Sequence, residues 1–208
     1  MTSFFAWNMH RFNMPHKYEV LRKWIHSENP TFGCLLETRV QHDKFHSIVT
    51  DALPGWNSIA NYEYHHLGRI WFCWSDQVIV TQLNKTSQII SCAVQNPVTG
   101  EQFICSVIYA SNYLVDRQTL WADIRATQAA YGHLNMPWIF IGDFNVTFSS
   151  QEHSRATYYL PYQTGMRQFQ DVVSDCGFSD LSATGALFTW WNKHEGDPIG
   201  KKTGSCFG

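Results

Sequence analysis

The sequence predicts an α/β fold of two packed sheets with helices outside them, a four-layer α-β-β-α sandwich. Helical patterns occur at the start, middle and end of the chain, whereas residues 56–110 hold serial strands with no helix between them. The segment 88–95 alternates imperfectly between apolar and polar residues, which is typical of strands covered on both faces. Serial strands between helical segments favour two stacked sheets over one doubly wound parallel sheet.

Each element is predicted from short apolar runs or from apolar residues at helical spacing. Strands are expected at residues 3–8, 32–36, 56–62, 68–74, 77–83, 87–95, 101–110, 138–141 and 187–191. Helices are expected at residues 17–26, 41–51, 115–131 and 166–176. Proline and glycine in the connection at 96–100 predict a hairpin there.

Length and composition predict one domain over residues 1–208, because no Pro/Gly/Ser-rich linker or charge block divides the chain. A net charge of −2 and a pI near 6.5 give no general attraction to nucleic acid, so phosphate binding would need a local patch or a metal. The six cysteines lack C-x-x-C spacing and are expected to be buried thiols. With no signal-peptide pattern and no apolar run of membrane length, we expect an intracellular protein, nuclear or cytoplasmic, without a membrane partner.

The stretch 137–145 is the most informative for function. An apolar strand ends at Gly142, and a carboxylate (Asp143) and a carboxamide (Asn145) follow it. Side chains two residues apart in extended chain point the same way, so the pair can face one site. A hydrogen-bond acceptor beside a neutral donor suits the activation of a water molecule. The alternative is a turn in which both side chains only satisfy local backbone groups.

Polar side chains also follow other predicted strands. Asn8 ends the first strand, and Tyr109 and Asn112 close the long strand at 101–110. Their alternatives are a buried tyrosine and turn asparagines. Since all these groups leave strand ends, we expect them to converge at one rim of the sandwich.

Glu37 lies at the mouth of the apolar strand 32–36. A carboxylate there is partly desolvated, which is costly unless a cation or a donor faces it. A hard, oxygen-binding ion such as Mg²⁺ would meet that need. The alternative is a rim glutamate paired with Arg39 or Lys44.

Taken together, these segments resemble the endonuclease/exonuclease/phosphatase superfamily, to which DNase I and the apurinic endonucleases belong. The segments that carry the resemblance, in this order, are Trp7-Asn8, Leu35-Leu36-Glu37-Thr38, Tyr109-Ala110-Ser111-Asn112, Gly142-Asp143-Phe144-Asn145 and Phe188-Thr189-Trp190-Trp191-Asn192. The sequence between these segments is most similar to the endonuclease domain of plant LINE-type retrotransposons, and the resemblance covers about residues 3–202.

The resemblance implies a phosphodiesterase that depends on Mg²⁺ or Mn²⁺ and takes DNA as substrate. Glu37 would hold the metal, and Asp143 would orient and deprotonate the attacking water. Further groups would position Asp143 and the phosphate or bind phosphate oxygens as charge builds on them. The positioning pair is Asn8 and Asn145, and the phosphate-binding pair is Tyr109 and Asn112.

The chain also departs from the family pattern. After Lys201 and Lys202 the family continues with Ile/Leu-Asp-Arg and later Ser-Asp-His, whereas this chain continues with Thr203 and Gly204. We therefore expect a C-terminally truncated domain that lacks its last strands. Each missing catalytic group typically contributes about 10²-fold or more, so activity would be impaired. Near the first strand, Arg11 replaces a glycine of the family pattern.

Three functions remain open from the sequence. The first is a metal-dependent DNA endonuclease, and the second is a catalytically dead remnant that at most binds nucleic acid or a protein partner. The third keeps the chemistry but acts on other phosphoesters, such as phosphoinositides. The basic residues are expected to form solvated faces rather than a DNA groove. They are Arg11, Lys17, Arg22 and Lys23 near the N-terminus and Lys193, Lys201 and Lys202 near the C-terminus.

Overall fold

The structure, a computed structural model, describes residues 2–154, 160–181, 190–191, 200–202 and 204–207. The chain divides into two compact units, Met1–Tyr109 with Met136–Gly142 and Ala110–Asn135 with Asp143–Gly208. The single domain stays a prediction.

The helices are α1 (Pro15–Glu28), α2 (His42–Ala52), α3 (Leu114–Tyr131) and α4 (Leu160–Asp175), with short 3₁₀ turns at Gly132–Leu134 and Ser150–Glu152. The strands are β1 (Phe4–Asn8), β2 (Phe32–Leu36), β3 (Asn57–Ala60), β4 (Ile70–Trp74), β5 (Ile79–Lys85), β6 (Ile89–Gln95), β7 (Gln102–Tyr109), β8 (Trp138–Asp143), β9 (Trp190–Trp191), β10 (Gly200–Lys201) and β11 (Gly204–Phe207).

The predicted order of elements is confirmed as far as α4, with differences of a few residues at the ends. The largest shortening is at β3, because the Asn61 side chain ends the strand: its Oδ1 accepts hydrogen bonds from the backbone N–H groups of Arg69 and Ile70. Residues 187–189 of the last predicted strand lie outside the described residues. The strands β10 and β11 were not predicted.

The first unit contains two packed sheets. One has the strand order β1-β2-β4-β3, with β1 and β2 parallel and the other pairs antiparallel. The other contains β8-β7-β6-β5 in that order, with β5, β6 and β7 antiparallel. Between them, the Phe32 ring stacks on Phe72 and lies 5.7 Å from the ring of Phe103 on β7. The predicted α/β sandwich is therefore confirmed.

The helices α1 and α2 cover the outer face of the first sheet. Phe5, Leu35 and Trp71 of the sheet belong to one buried cluster with Leu21 of α1 and Phe45 of α2. Burial of these apolar side chains is the main contribution to the stability of the layer. All five residues of β2 are buried, as expected for a strand with cover on both faces.

In the second unit, α3 and α4 pack against each other. The indole of Trp121 stacks on Phe169 at 5.3 Å, and Phe144 stacks on the same ring at 4.5 Å. Arg125 of α3 donates two hydrogen bonds to Asp175 at the end of α4.

The cysteines of the first unit are buried free thiols, as predicted, and Cys176 is a partly buried one. Burial raises the pKa of the Cys34 and Cys73 thiols, and it raises the pKa of Cys92 to about 12. Among the described residues, no helix combines the length and the apolar character that a membrane crossing requires.

Candidate active site

The ends of β1 and β2 bring Asn8 and Glu37 to one edge of the first sheet. The two strands run parallel, with Asn8 opposite Leu36, so their carboxyl ends meet. Beyond the strands, the Met9 N–H donates to the Leu36 carbonyl at 2.8 Å and the Arg11 N–H to the Glu37 carbonyl at 3.0 Å. The Asn8 side chain accepts from the His10 N–H at 3.2 Å, so its carbonyl oxygen serves a local turn.

Glu37 adopts a backbone conformation that glycine usually occupies. Its φ is +51°, in the left-handed region, and its N–H donates to the Arg69 carbonyl at 3.0 Å. The side chain is only 13% exposed. Non-glycine residues held at positive φ are strained and are enriched at functional sites, so this geometry favours a functional role for Glu37.

The two carboxylate oxygens of Glu37 differ in their partners. Oε1 accepts a hydrogen bond from the Tyr109 hydroxyl. Oε2 lies 2.5 Å from Nδ1 of His10 and 3.8 Å from Nη2 of Arg39. Oε2 is buried and accepts no hydrogen bond from the described residues, although it contacts Nδ1 of His10. Leaving such an acceptor unsatisfied is costly, which favours an additional partner for it.

Two arginines lie near Glu37. Nη2 of Arg39 is 3.8 Å from Oε2, and the guanidinium of Arg69 lies 5.9 Å from the centroid of the ring of Tyr109, whose hydroxyl donates to Oε1. Burial, followed by the charges of Arg69 and His66, lowers the pKa of His65, which favours its neutral form near pH 7. The two guanidinium groups near this strand end suit the binding of a phosphate group, in a chain whose net charge is −2.

The predicted metal ligand can be tested against this geometry. In the described part of the chain, no three His, Cys, Asp or Glu side chains lie together as a metal cage would require. Mg²⁺, however, is usually held by one or two carboxylates, with water and substrate phosphate at its other positions. A single carboxylate with an unsatisfied oxygen is compatible with that mode. Glu37 therefore fits a Mg²⁺ or Mn²⁺ site.

In the second unit, the structure brings Asp143 and Asn145 together. Oδ1 of Asp143 accepts from the Asn145 N–H at 2.9 Å, and Nδ2 of Asn145 donates to the Ala110 carbonyl at 2.6 Å. Asn145 has a φ of +50°. The local turn that formed the alternative interpretation is thus present, and its hydrogen bonds hold the partly exposed Asp143 carboxylate in a fixed orientation.

The end of β8 approaches β7 so closely that it requires glycine at position 142. The φ of Gly142 is +134°, and a Cβ built on it would lie 2.0 Å from the backbone oxygen of Ile108 on β7. Only a residue without a side chain fits this close approach of two strands.

Asn112 lies in an exposed loop that a buried arginine holds. Arg117 of α3 donates from Nη1 to the carbonyls of Ser111 at 2.8 Å and Asn112 at 3.0 Å. The Ser111 hydroxyl donates to Asp116 and accepts from the Tyr113 N–H. The loop is therefore fixed, while Asn112 itself is exposed to solvent.

The structure thus groups Asn8, Glu37 and Tyr109 in the first unit, and Asp143 with Asn145 in the second. Sequence reasoning assigned no role to His10, Arg69 or Arg117. The prediction of a solvated basic face holds for the exposed Arg11, Arg22 and Lys23. It is wrong for Lys17, whose ammonium group binds backbone carbonyls, and for Lys202, which is 16% exposed and pairs with the buried Glu152 at 2.8 Å. Lys193 lies outside the described residues.

Solved structures support the fold. The chain is similar to the endonuclease domain of TRAS1, a telomere-specific non-LTR retrotransposon, with a TM-score of 0.76 and 12% identity over 100% of this chain and 84% of that one. It is similar to the AP endonuclease LMAP from Leishmania major, with a TM-score of 0.75 and 12% identity over 99% and 78% of the two chains. It is also similar to the mannosyl-6-phosphatase Bt3783 of Bacteroides thetaiotaomicron, with a TM-score of 0.64 and 14% identity over 100% and 85%.

At these identities the structural likeness supports a shared fold, and the family follows from the sequence. The profile of the endonuclease/exonuclease/phosphatase family matches residues 5–200, which is nearly the whole chain. The chain therefore belongs to the endonuclease/exonuclease/phosphatase family, whose members are hydrolases that generally depend on a metal.

Proposed function

We propose that this protein is a phosphodiesterase that hydrolyses DNA with Mg²⁺ or Mn²⁺ as cofactor. The observation that supports this most is Glu37, a mostly buried carboxylate at a strand end, in a strained backbone conformation, with one oxygen unsatisfied by the described residues. Such a group costs folding stability and is expected where function requires it. Two of the similar structures are described as endonucleases, which favours DNA as the substrate and, with TRAS1, a retroelement origin.

Each predicted residue then has a distinct role. Glu37 holds the divalent ion, which when bound would offset the negative charge that builds on the phosphate oxygens. Asp143 orients the attacking water and accepts its proton, and the turn closed by Asn145 fixes that carboxylate. Asn8 positions the phosphate near the strand end, and Asn112 donates to a phosphate oxygen from its exposed loop.

Tyr109 has one hydroxyl hydrogen, and in this structure it is donated to Glu37. We therefore propose that Tyr109 mainly orients the Glu37 carboxylate, with phosphate binding as a role that would require this bond to break. We expect this protein to turn over more slowly than family members with the complete pattern, since Gly204 stands where that pattern has an aspartate.

A second candidate is a non-catalytic protein that binds nucleic acid. The observation that favours it is that the imidazole of His10 and the guanidinium of Arg39 both face Glu37. If they neutralise the carboxylate permanently, no divalent ion is needed there. A third candidate, hydrolysis of other phosphoesters, is favoured by the likeness to a sugar phosphatase.

Nicking of supercoiled plasmid by the purified protein tests the proposal. We expect conversion to the open-circular form with Mg²⁺ or Mn²⁺, and none after the metal is removed with EDTA, because the phosphate charge is then not offset. Restoring the metal should restore nicking. Phosphate release from a sugar phosphate and from inositol phosphates is measured with the same preparation.

The outcomes separate the three candidates. Metal-dependent nicking without release from the small phosphoesters supports the nuclease. Release from the small phosphoesters without nicking supports the third candidate. DNA binding in a gel-shift assay, with no hydrolysis in excess metal, supports the non-catalytic protein and contradicts the proposal.

A further inference from the structure

The loop that follows β1, Met9–Arg11, is held by the backbone on one side. Its N–H groups donate to the end of β2 and the residues after it: Met9 to Leu36 and Arg11 to Glu37. The next residue, Phe12, donates to Thr38 at 2.6 Å. The N–H groups of this loop are thus hydrogen-bonded to the segment that carries Glu37.

The carbonyl face of the same loop converges on one lysine. Nζ of Lys17 donates to the carbonyl of Met9 at 2.5 Å, of His10 at 3.2 Å and of Arg11 at 2.9 Å. An ammonium group has three hydrogens to donate, so these three carbonyls use its full capacity. Hydrogen bonds from a charged donor are stronger than neutral ones.

The position of Lys17 on α1 is otherwise unfavourable. It lies in the first turn of the helix, where the dipole disfavours a positive charge, and that turn contains no acidic residue that would offset it. The contacts with the loop therefore account for a cation at this position.

The loop itself is strained. His10 has a φ of +42° and Arg11 a φ of +76°, both in the left-handed region that favours glycine. Two consecutive residues of this kind persist only where surrounding contacts hold them. Lys17 supplies such contacts on one side and the β2 end on the other, which explains how arginine can stand where the family pattern has glycine.

We propose that Lys17 is a positioning residue that locks the Met9–Arg11 loop, and through it keeps His10 against Glu37 and Asn8 at the end of β1. Its effect on catalysis rests on the proposed function, whereas its effect on the loop does not. Arg117 holds a loop in the same way in the second unit. From the first turn of α3 it donates to the carbonyls of Ser111 and Asn112.

Cleavage after Arg11 by an arginine-specific protease tests the lock without reference to activity. Arg11 is exposed but followed by the fully buried Phe12, so cleavage requires the loop to open. Lys17→Met keeps the length of the side chain and removes the charge. We expect it to accelerate cleavage after Arg11 by about tenfold or more, relative to cleavage after Arg22 in the middle of α1.

Two further variants make the result specific. Lys23→Met removes a lysine of the same helix that is 75% exposed and paired with Glu19, and it should leave the cleavage ratio unchanged. Lys17→Arg retains a cation that can reach the carbonyls and should restore most of the protection. Denaturant unfolding of each variant identifies any that is globally destabilised, and the ratio to Arg22 corrects for it.

A ratio for Lys17→Met equal to that of wild type, or failure of Lys17→Arg to restore protection, overturns the proposal. In the nicking assay, Lys17→Met should lower kcat with little change in KM, because the loop positions groups and does not bind substrate itself. If wild type fails to nick DNA, the proposed function fails while the cleavage ratios still decide the role of Lys17.

Discussion

Asp143→Asn is expected to reduce metal-dependent nicking by about 10²- to 10⁴-fold while the protein stays folded. The amide oxygen can still accept from the Asn145 N–H, which lies 2.9 Å from Oδ1 of the aspartate, so the turn is retained. What is lost is the negative charge and the ability to accept a proton from water. The effect should therefore appear in the rate and not in the stability.

Initial rates of plasmid nicking, together with thermal unfolding, measure this prediction. The matched control is Asp171→Asn, which removes a carboxylate from the exposed face of α4 in the same unit and should nick at the wild-type rate. Wild-type rates for Asp143→Asn would remove Asp143 from the mechanism and leave the turn as its whole role.

Gly142→Ala is expected to destabilise the protein by about 3–5 kcal/mol, which is in the range that only severe steric or strain effects reach. Its Cβ would lie 2.0 Å from the oxygen and 2.9 Å from the carbonyl carbon of Ile108. These are backbone atoms of the neighbouring strand and cannot move aside as a flexible side chain would. The φ of +134° adds strain for any residue with a side chain.

Urea unfolding of Gly142→Ala and of a control, Gly55→Ala, separates the steric effect from the backbone effect. Gly55 also has a positive φ, +80°, but a Cβ there would meet no atom within 4 Å. We expect Gly55→Ala to cost only about 1–2 kcal/mol, from backbone strain alone. Equal losses for the two variants would show that the contact with Ile108 is not what requires glycine.

Much of the fold was predictable because local patterns and tertiary packing agree in it. The apolar run of β2 predicts a strand covered on both faces, and β2 is buried throughout. The end of β3 was not predictable, since it depends on the Asn61 side chain bonding to residues eight and nine positions later. The C-terminal strands β10 and β11 carry little apolar pattern, so sequence alone gave no signal for them.

The sequence allowed us to predict which strand ends contribute residues to the candidate site, but not the hydrogen bonds that connect those residues. Spacing alone can suggest that Asp143 and Asn145 belong together, and their hydrogen bond agrees. It cannot reveal that the Tyr109 hydroxyl reaches Glu37, because the two are far apart in sequence and meet only once the sheets pack. Lys17 was misjudged for the same reason: a charge in a basic run is usually solvated, and its carbonyl partners depend on a loop conformation that sequence does not reveal.

The proposed mechanism requires Glu37 and Asp143 to act in the same catalytic step, and a double-variant comparison measures this directly. Nicking rates are measured with enzyme in excess over plasmid for wild type, Glu37→Gln, Asp143→Asn and the double variant. We expect each single variant to lose about 10²-fold or more and the double variant to be about as slow as the slower single variant, since the effects of groups that act as a unit are not additive. Wild-type nicking by Glu37→Gln, or a double variant whose loss is the product of the two single losses, would contradict the proposed mechanism.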